Sequence, residues 1–165
     1  MNMRLTEMAK KPPKPIHEAK VSYTYPELHK RVLVAVSGEI SKPWFNRKTL
    51  AANNEYSTHV MGKFVCGNGD CPRHGWSSKK VAILIKGYSK NGYSATVFNQ
   101  RCQSCKTLGI LELDEDSYIE RVAYRIKKWA GVRVDEPYFA GKKGPAHKPE
   151  LCEGCRQGYC LRGRD

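Results

Sequence analysis

The sequence predicts an α+β fold that combines an antiparallel sheet, packed helices and turns that carry cysteines. Three observations lead to this prediction. The middle of the chain, from His59 to Leu113, contains short runs rich in β-branched and aromatic residues, separated by turn residues. Two stretches, near residues 24–38 and 114–131, carry apolar residues at helical spacing. Seven cysteines, most of them in close pairs, lie next to the predicted strands and between residues 152 and 160.

Length and composition limit the possible functions. The 165 residues suit one domain, and the formal net charge of +13 comes from 29 Lys and Arg against 16 Asp and Glu. Such a charge implies an acidic partner, either nucleic acid or an anionic surface, unless it serves only solubility. The longest apolar runs, Val32–Val36 and Val81–Ile85, are too short to cross a bilayer, and no export signal is recognised. We therefore expect a cytoplasmic or nuclear protein with no transmembrane segment.

Residues 1–22 are predicted to be a disordered basic arm, and residues 23–162 a single folded domain that contains all seven cysteines. The arm contains the segment Lys10–Pro15, in which lysines and prolines alternate with almost no apolar surface. Prolines lack a backbone donor and like charges repel, so such a segment does not build a packed core.

A first helix is predicted to begin at Thr24. The Thr24 side chain can cap the helix and Glu27 can return a hydrogen bond, as in a capping box. Leu28 and Val32 then share one apolar face, and the pattern ends at Gly38. Residues 38–58 show no clear pattern, although we expect their two neighbouring aromatic residues, Trp44 and Phe45, to anchor a loop on the core.

The middle of the chain is predicted to form four strands. Asn91 and Gly92 favour a turn after the second of them, because both residues tolerate positive φ. The predicted strands are Val60–Cys66, Trp76–Lys86, Tyr93–Arg101 and Leu108–Leu113.

A second helix is predicted at Ser117, where Ser117 and Glu120 have the spacing of a capping box and Asp114 precedes them. Its apolar face would bury Ile119, Val122, Ala123, Ile126 and either Trp129 or Ala130. Gly131 ends the pattern.

The cysteines favour a metal over idle thiols or a disulfide framework. Cys66 and Cys71, Cys102 and Cys105, and Cys152 and Cys155 form three close pairs, and Cys160 ends the series. Zinc takes four N or S ligands in a tetrahedron with Zn–S near ~2.3 Å, and a short cysteine pair supplies two of them from one turn. An odd number of cysteines in a chain with no recognised export signal also argues against disulfides.

We expect two zinc ions, since eight donors fit two tetrahedra. The first predicted set is joined by the strands on either side of the central hairpin, and the second lies on one short segment. The sets are Cys66, Cys71, Cys102 and Cys105, and His147, Cys152, Cys155 and Cys160. His59 or His74 could replace His147. The predicted fold class is thus α+β, with a zinc-ribbon-like antiparallel sheet, packed helices and a C-terminal zinc knuckle.

An enzyme is not expected, nor is a small-molecule substrate. A zinc deaminase needs an H-x-E motif before P-C-x-x-C, and the sequence has neither. A hydrolytic zinc keeps one open coordination position, whereas these donor sets close both sites. A redox CxxC pair would follow a βαβ pattern, which is missing here.

The leading function is the binding of single-stranded or structured RNA through a basic surface. Tyr88 and Tyr93 could stack on unpaired bases, although ordinary packing is the simpler expectation for each ring. A basic helix face is also often only solvated. The candidate phosphate-binding residues are Lys79, Lys80, Lys86, Lys90, Arg121, Arg125, Lys127 and Lys128.

Six segments in this order carry a family resemblance. They are Tyr25–His29, His59–Cys66, Trp76–Val81, Gln100–Cys105, Arg121–Trp129 and Cys152–Cys160. With them the chain resembles the three-CxxC (3CxxC-type) zinc-finger family, which includes receptor-transporting proteins, zygote arrest proteins and small standalone fungal zinc-binding proteins.

This resemblance implies zinc at the three cysteine pairs, with His147 and Cys160 matching a recurring Pro-His and a terminal Cys. In this chain Ala146 separates Pro145 from His147, where the family commonly has the two adjacent. The zygote arrest proteins bind messenger RNA, which implies RNA as a partner. The receptor-transporting proteins act in trafficking, which implies the alternative of a protein-interaction adaptor or chaperone for client proteins.

Overall fold

The structure, a computed structural model, describes residues 18–48, 50–135 and 147–160. Most of the predicted basic arm lies outside the described residues, as do residues 49, 136–146 and 161–162 of the predicted domain. Of the arm, residues 18–22 are described, and Ser22 already belongs to a strand.

The centre of the fold is a six-stranded sheet. Its strands run in the order β1-β5-β4-β3-β6, all antiparallel, and β2 adds a parallel pair with β5. The strands are β1 (Ser22–Tyr23), β2 (Trp44–Phe45), β3 (Asn54–Cys66), β4 (Gly75–Tyr88), β5 (Gly92–Phe98) and β6 (Gly109–Leu113). The helices and sheet confirm the predicted fold class.

Several stretches of the sheet differ from the prediction. β5 ends at Phe98, before the predicted end at Arg101, because Gln100 and Arg101 bridge to Cys152 and Leu108 instead. β3 begins at Asn54, before the predicted start at Val60, because residues 54–59 pair with the far half of β4. Trp44 and Phe45 form a strand and not a loop. Their strand passes so close to Gly92 that a Cβ there would lie 2.3 Å from the Trp44 ring, so only glycine fits this position.

The first helix begins later than predicted, and the predicted Thr24 cap is wrong. A 3₁₀ turn over Pro26–Leu28 comes first, and α1 then spans His29–Ala35. The Leu28 N–H donates to the Tyr25 carbonyl at 3.0 Å, so Tyr25 takes the capping position and makes no side-chain cap. Thr24 is exposed instead.

The second helix, α2, spans Glu115–Trp129, and its cap is Asp114 and not Ser117. The Ser117 N–H donates to Asp114 Oδ1 at 3.0 Å. The Ser117 hydroxyl accepts a hydrogen bond from the Met61 N–H at 3.0 Å, which ties the helix to β3. Ser117 is therefore a buried tether within the first turn. None of the helices in the described ranges has the length and apolar character needed to cross a membrane.

The helices α1 and α2 both pack on one face of the sheet, which we call the helix face. Tyr93 points into this core and is completely buried, which agrees with ordinary packing, the simpler expectation for this ring, and leaves no face on which a base could stack. Its hydroxyl lies 2.7 Å from Nδ1 of His29, which satisfies it inside the core. Burial raises the pKa of Tyr93 and lowers the pKa of His29.

The opposite face of the sheet carries the C-terminal segment, residues 147–160, which we call the knuckle. Its short helix α3 (Glu153–Arg156) packs on Ala82 and Phe98. A Cβ at Gly154 would lie 2.5 Å from the Ala82 Cβ, so glycine is what allows α3 to approach the sheet. The knuckle therefore docks on the strands and does not stand alone as the local unit that its sequence suggests.

Candidate metal centres

The first donor set lies where the turn after β3 meets the turn before β6. The Sγ atoms of Cys66, Cys71, Cys102 and Cys105 all lie within 4.8 Å of one another. The Cys66–Cys105 and Cys71–Cys102 separations are 3.4 and 3.8 Å. A zinc tetrahedron with Zn–S of ~2.3 Å has S–S edges of about 3.8 Å, whereas a disulfide would need ~2.05 Å. The four thiols fit zinc and are not disulfides.

Local backbone bonds shape the first cysteine pair. The Cys71 N–H donates to the Asn68 carbonyl at 3.1 Å, and the Asn68 side chain accepts from the Asp70 N–H at 3.1 Å. These bonds fold residues 66–71 into a tight turn. A Cβ at Gly67 would lie 2.4 Å from the Leu108 carbonyl oxygen. Only glycine at position 67 therefore lets this turn pack against the residue that precedes β6.

The second pair is built by a matching turn. The Cys102 N–H donates to the Thr107 carbonyl at 2.9 Å, and the Lys106 N–H donates to the Cys102 carbonyl at 2.8 Å. Hydrogen bonds from Thr107 lower the pKa of Cys105 to about 6, and burial raises the pKa of Cys66 to about 12. Zinc binds thiolates, so its binding must release the proton of Cys66, and affinity falls as the pH falls.

The second donor set is the knuckle, where His147, Cys152, Cys155 and Cys160 bring their ligand atoms within 4.8 Å of one another. Nε2 of His147 lies 3.2 Å from Cys155 Sγ and 3.5 Å from Cys160 Sγ. Zn–N of ~2.0–2.1 Å and Zn–S of ~2.3 Å give an N–S edge of about 3.6 Å. The knuckle therefore also fits zinc, and the predicted division into two zinc sites is confirmed.

The start of α3 prepares the knuckle for a metal. Cys152 occupies the position before the helix, and the Cys155 N–H donates to its Sγ at 3.4 Å. A hydrogen bond with Cys160, together with burial, raises the pKa of Cys152. Backbone N–H donors and the helix N-terminus favour a thiolate at this position once zinc is bound.

A second histidine stands beside the knuckle. Nε2 of His59 lies 3.3 Å from Cys160 Sγ, and its ring centre is 5.9 Å from that of His147. His147 completes the donor set, so His59 is placed as a hydrogen-bonding neighbour of a ligand. His74 is exposed and belongs to neither set. His59 lies opposite Ala82 in the sheet, and only that register places it under the knuckle.

The two metal centres are physically linked. Residues 99–101, which lead into Cys102, pair with residues 151–153 of the knuckle through Arg101 N–H to Leu151 O at 2.8 Å and Glu153 N–H to Asn99 O at 3.1 Å. The Arg101 Nε also donates to Glu153 Oε1 at 2.7 Å, and the Glu153 side chain is only 4% exposed. We call these contacts between residues 99–101 and residues 151–153 the joint. A substitution in the joint is therefore expected to affect both metal centres.

The candidate phosphate-binding lysines of the strands differ in solvent exposure and in ion pairing. Lys79 is exposed and Lys80 is half-buried on β4. Lys86 lies 3.7 Å from the Glu55 carboxylate, and Lys90 is exposed in the turn after β4. The structure thus spreads these four lysines along β4 and its turn.

The candidate residues of α2 belong to the helix face of the sheet. Arg121 and Arg125 are half-buried, and each has a buried Nε without a hydrogen-bond partner. The Arg125 guanidinium lies 3.3 Å above the Tyr56 ring, a cation–π contact that a sequence cannot reveal because Tyr56 is on β3. Lys127 is ion-paired with Glu39, and Lys128 is exposed. These four candidate residues of α2 are therefore partly packed against the sheet and partly neutralised by ion pairing.

Native mass spectrometry of the purified protein should find two zinc ions per chain. The variant Cys155→Ser should retain one, because it removes a half-buried knuckle ligand and leaves the first donor set complete. One zinc ion in the unchanged protein would contradict the two-site assignment.

Comparison with known proteins agrees with this geometry. The Zn_ribbon_3CxxC family model, described as a zinc-binding domain, matches residues 59–158, which is more than half of the chain. The match includes every donor of the two centres except Cys160. No curated protein and no solved structure matches the chain significantly. Because the family model matches more than half of the chain and the chain holds two donor sets that fit zinc, the chain belongs to the Zn_ribbon_3CxxC family of zinc-binding domains.

Proposed function

We propose that this zinc-binding module binds RNA, single-stranded or structured, through a basic surface in the cytoplasm or nucleus, and that it is not an enzyme. The observation that carries the proposal is the net charge of +13. Within the described ranges several exposed cations have no carboxylate partner, and their charge is available to phosphates. They include Arg47, Lys48, Lys79, Lys90 and Lys128.

The two metal centres support a structural role. Each has four protein donors, which complete a zinc tetrahedron and leave no position for a reacting water. The cleft between them holds about 120 Å³, below the ~300–1,000 Å³ that small-molecule sites occupy. Its polar side chains bond to each other, as in the 3.1 Å hydrogen bond from Trp76 Nε1 to Gln100 Oε1.

Fluorescence anisotropy with a labelled oligouridine strand tests the proposal on the zinc-loaded full chain. Affinity should fall linearly on logarithmic axes as salt rises, with a slope of about −0.7 per contacted phosphate of a single strand. The same strand annealed to its complement distinguishes single-stranded from duplex recognition. A protein that binds neither probe at low salt would contradict the proposal.

The alternative function, a protein-interaction adaptor, has one observation in its favour. Val34 is 77% exposed and Leu33 is 37% exposed on α1, next to each other on the outer surface of the helix layer. Contiguous exposed apolar residues often mark protein contacts, although two residues make only a small patch. Failure of RNA binding by the unchanged protein would favour this function.

A further inference from the structure

The knuckle covers only part of its face of the sheet. Leu84 and Phe98 are buried beneath it, but farther along the same two strands Tyr88, Ser94 and Thr96 are half-buried. Together with the loop after β2 and with Tyr159 they line a concave surface of about 560 Å³, which we call the trough. The residues of the trough that matter here are Arg47, Lys48, Tyr88, Ser94, Thr96 and Tyr159.

Two aromatic rings of the trough are held in place. Tyr159 stacks on Phe98 with ring centres 5.7 Å apart and an interplanar angle of 20°. Tyr88 packs against Trp44 at 6.0 Å, and its hydroxyl lies 3.1 Å from the Ser94 hydroxyl. Ordered rings lose little conformational entropy when a base stacks on them, and stacking needs no particular base.

The rings are far enough apart for more than one nucleotide. Tyr88 pairs with Gly92 in the sheet, whereas Tyr159 lies over Phe98, six positions farther along β5. A strand rises ~3.3 Å per residue, so the backbone positions Gly92 and Phe98 are about 20 Å apart along β5. The Tyr88 hydroxyl reaches Ser94, which is about 13 Å from Phe98 along the strand. Between them lie Ser94 and Thr96, whose hydroxyls can pair with base edges or with ribose 2′-hydroxyls.

The rim of the trough is positively charged. Arg47 and Lys48 are exposed, and neither has a carboxylate partner within the described part of the chain. Asn46 anchors their loop, because its N–H donates to the Tyr93 carbonyl at 2.8 Å and its side-chain oxygen accepts from the Lys48 N–H at 2.9 Å. A single-stranded nucleic acid complements this surface, because its phosphates can pair with the cations of the rim and its exposed bases can stack on the two rings.

We propose that a segment of single-stranded RNA lies in the trough, with bases stacked on Tyr88 and Tyr159 and phosphates against Arg47 and Lys48. This inference rests on the proposed function and assigns it to one surface. The knuckle zinc takes part indirectly: Tyr159 lies between its ligands Cys155 and Cys160, and the Tyr159 N–H donates to the Gly154 carbonyl at 2.8 Å. The metal thereby positions one of the stacking rings.

Ring variants test the stacking. Tyr159→Ala in the zinc-loaded full chain should weaken binding to the labelled oligouridine strand about 5- to 150-fold, the effect of losing one stacked base. Tyr159→Phe keeps the ring and should bind as the unchanged protein does. Native mass spectrometry showing two zinc ions in both variants separates lost stacking from lost metal.

Charge variants test the rim against a matched control. Arg47→Gln with Lys48→Gln should make the salt slope shallower by about 1.4, because two phosphate contacts are lost. Lys30→Gln with Arg133→Gln removes the same charge from exposed positions on α1 and just after α2, behind the sheet, and should leave the slope unchanged.

Two results would overturn the trough while leaving RNA binding intact. The first result is that the unchanged protein binds RNA and that the ring variants and the rim variants bind it equally well. The other comes from photocrosslinking a 4-thiouridine strand to the unchanged protein, which requires no variant to fold. We expect crosslinks in peptides that contain Tyr88 or Tyr159, and crosslinks confined to α2 would overturn the proposal. Absence of RNA binding by the unchanged protein would overturn both the trough and the proposed function.

Discussion

Cys102→Ser should give protein that is insoluble or rapidly degraded by protease. Cys102 has no exposed surface and contributes one of four ligands to the first centre. Structural zinc contributes about 10–16 kcal/mol in zinc-finger peptides at pH 7, as much as the ~5–15 kcal/mol net stability of a whole domain. Losing a ligand removes much of that contribution and also leaves the turns at the ends of β3 and β6 unconstrained.

The matched control for this variant is Ser104→Ala, which changes an exposed side chain in the same turn and keeps the backbone N–H that bonds to Cys102. It should melt at the temperature of the unchanged protein. Limited proteolysis and thermal melting compare the two. A soluble Cys102→Ser protein with a cooperative melt would show that this centre is peripheral to the fold.

Arg101→Met should destabilise the zinc-loaded protein by about 3–5 kcal/mol. The Glu153 carboxylate is almost completely buried, and Arg101 holds it at 2.7 Å. The remaining cation, Arg156, is 3.8 Å away and mostly solvent-exposed, so it compensates poorly. Removing Arg101 therefore leaves a buried charge without an adequate partner, which is much more costly than losing the pair as a whole.

Chemical denaturation of two further variants checks this explanation. Arg101→Met combined with Glu153→Gln should recover most of the lost free energy of unfolding, because no charge stays buried. Arg31→Met breaks ion pairs with Glu115 and Asp116 in which all three side chains are about half exposed or more, and should cost no more than about 1 kcal/mol. Equal midpoints for Arg101→Met and the unchanged protein would contradict the assigned role of the joint.

The metal centres could be predicted from the sequence because zinc imposes its own local geometry. Turns that supply two of the four donors contain closely spaced cysteines, such as Cys102 and Cys105. This spacing can be recognised directly in the sequence. The burial of Tyr93 was also predictable. Tyr93, Ala95 and Val97 alternate with Ser94 and Thr96, which indicates one buried and one polar face.

Other features depend on contacts that no local pattern contains. From the sequence, Arg125 is expected to be a solvent-facing cation on α2. In the structure its guanidinium lies over the ring of Tyr56, which belongs to β3. Asp114 takes the cap position because the Ser117 hydroxyl is needed to tether Met61. The trough exists only because Gly154 lets the knuckle dock where it does, so Tyr159 could not be assigned to a sheet surface in advance.

The knuckle ligands are close together along the chain, and an unfolded chain can therefore chelate zinc with them. His147 and Cys160 are 13 positions apart, whereas Cys66 and Cys105, in the first centre, are 39 apart. Closing the longer loop in an unfolded chain costs about 1 kcal/mol more. A metal that also binds the unfolded state stabilises the folded state less. Zinc at the first centre thus contributes more to the free energy of unfolding, while zinc at the knuckle can remain bound after the sheet has come apart.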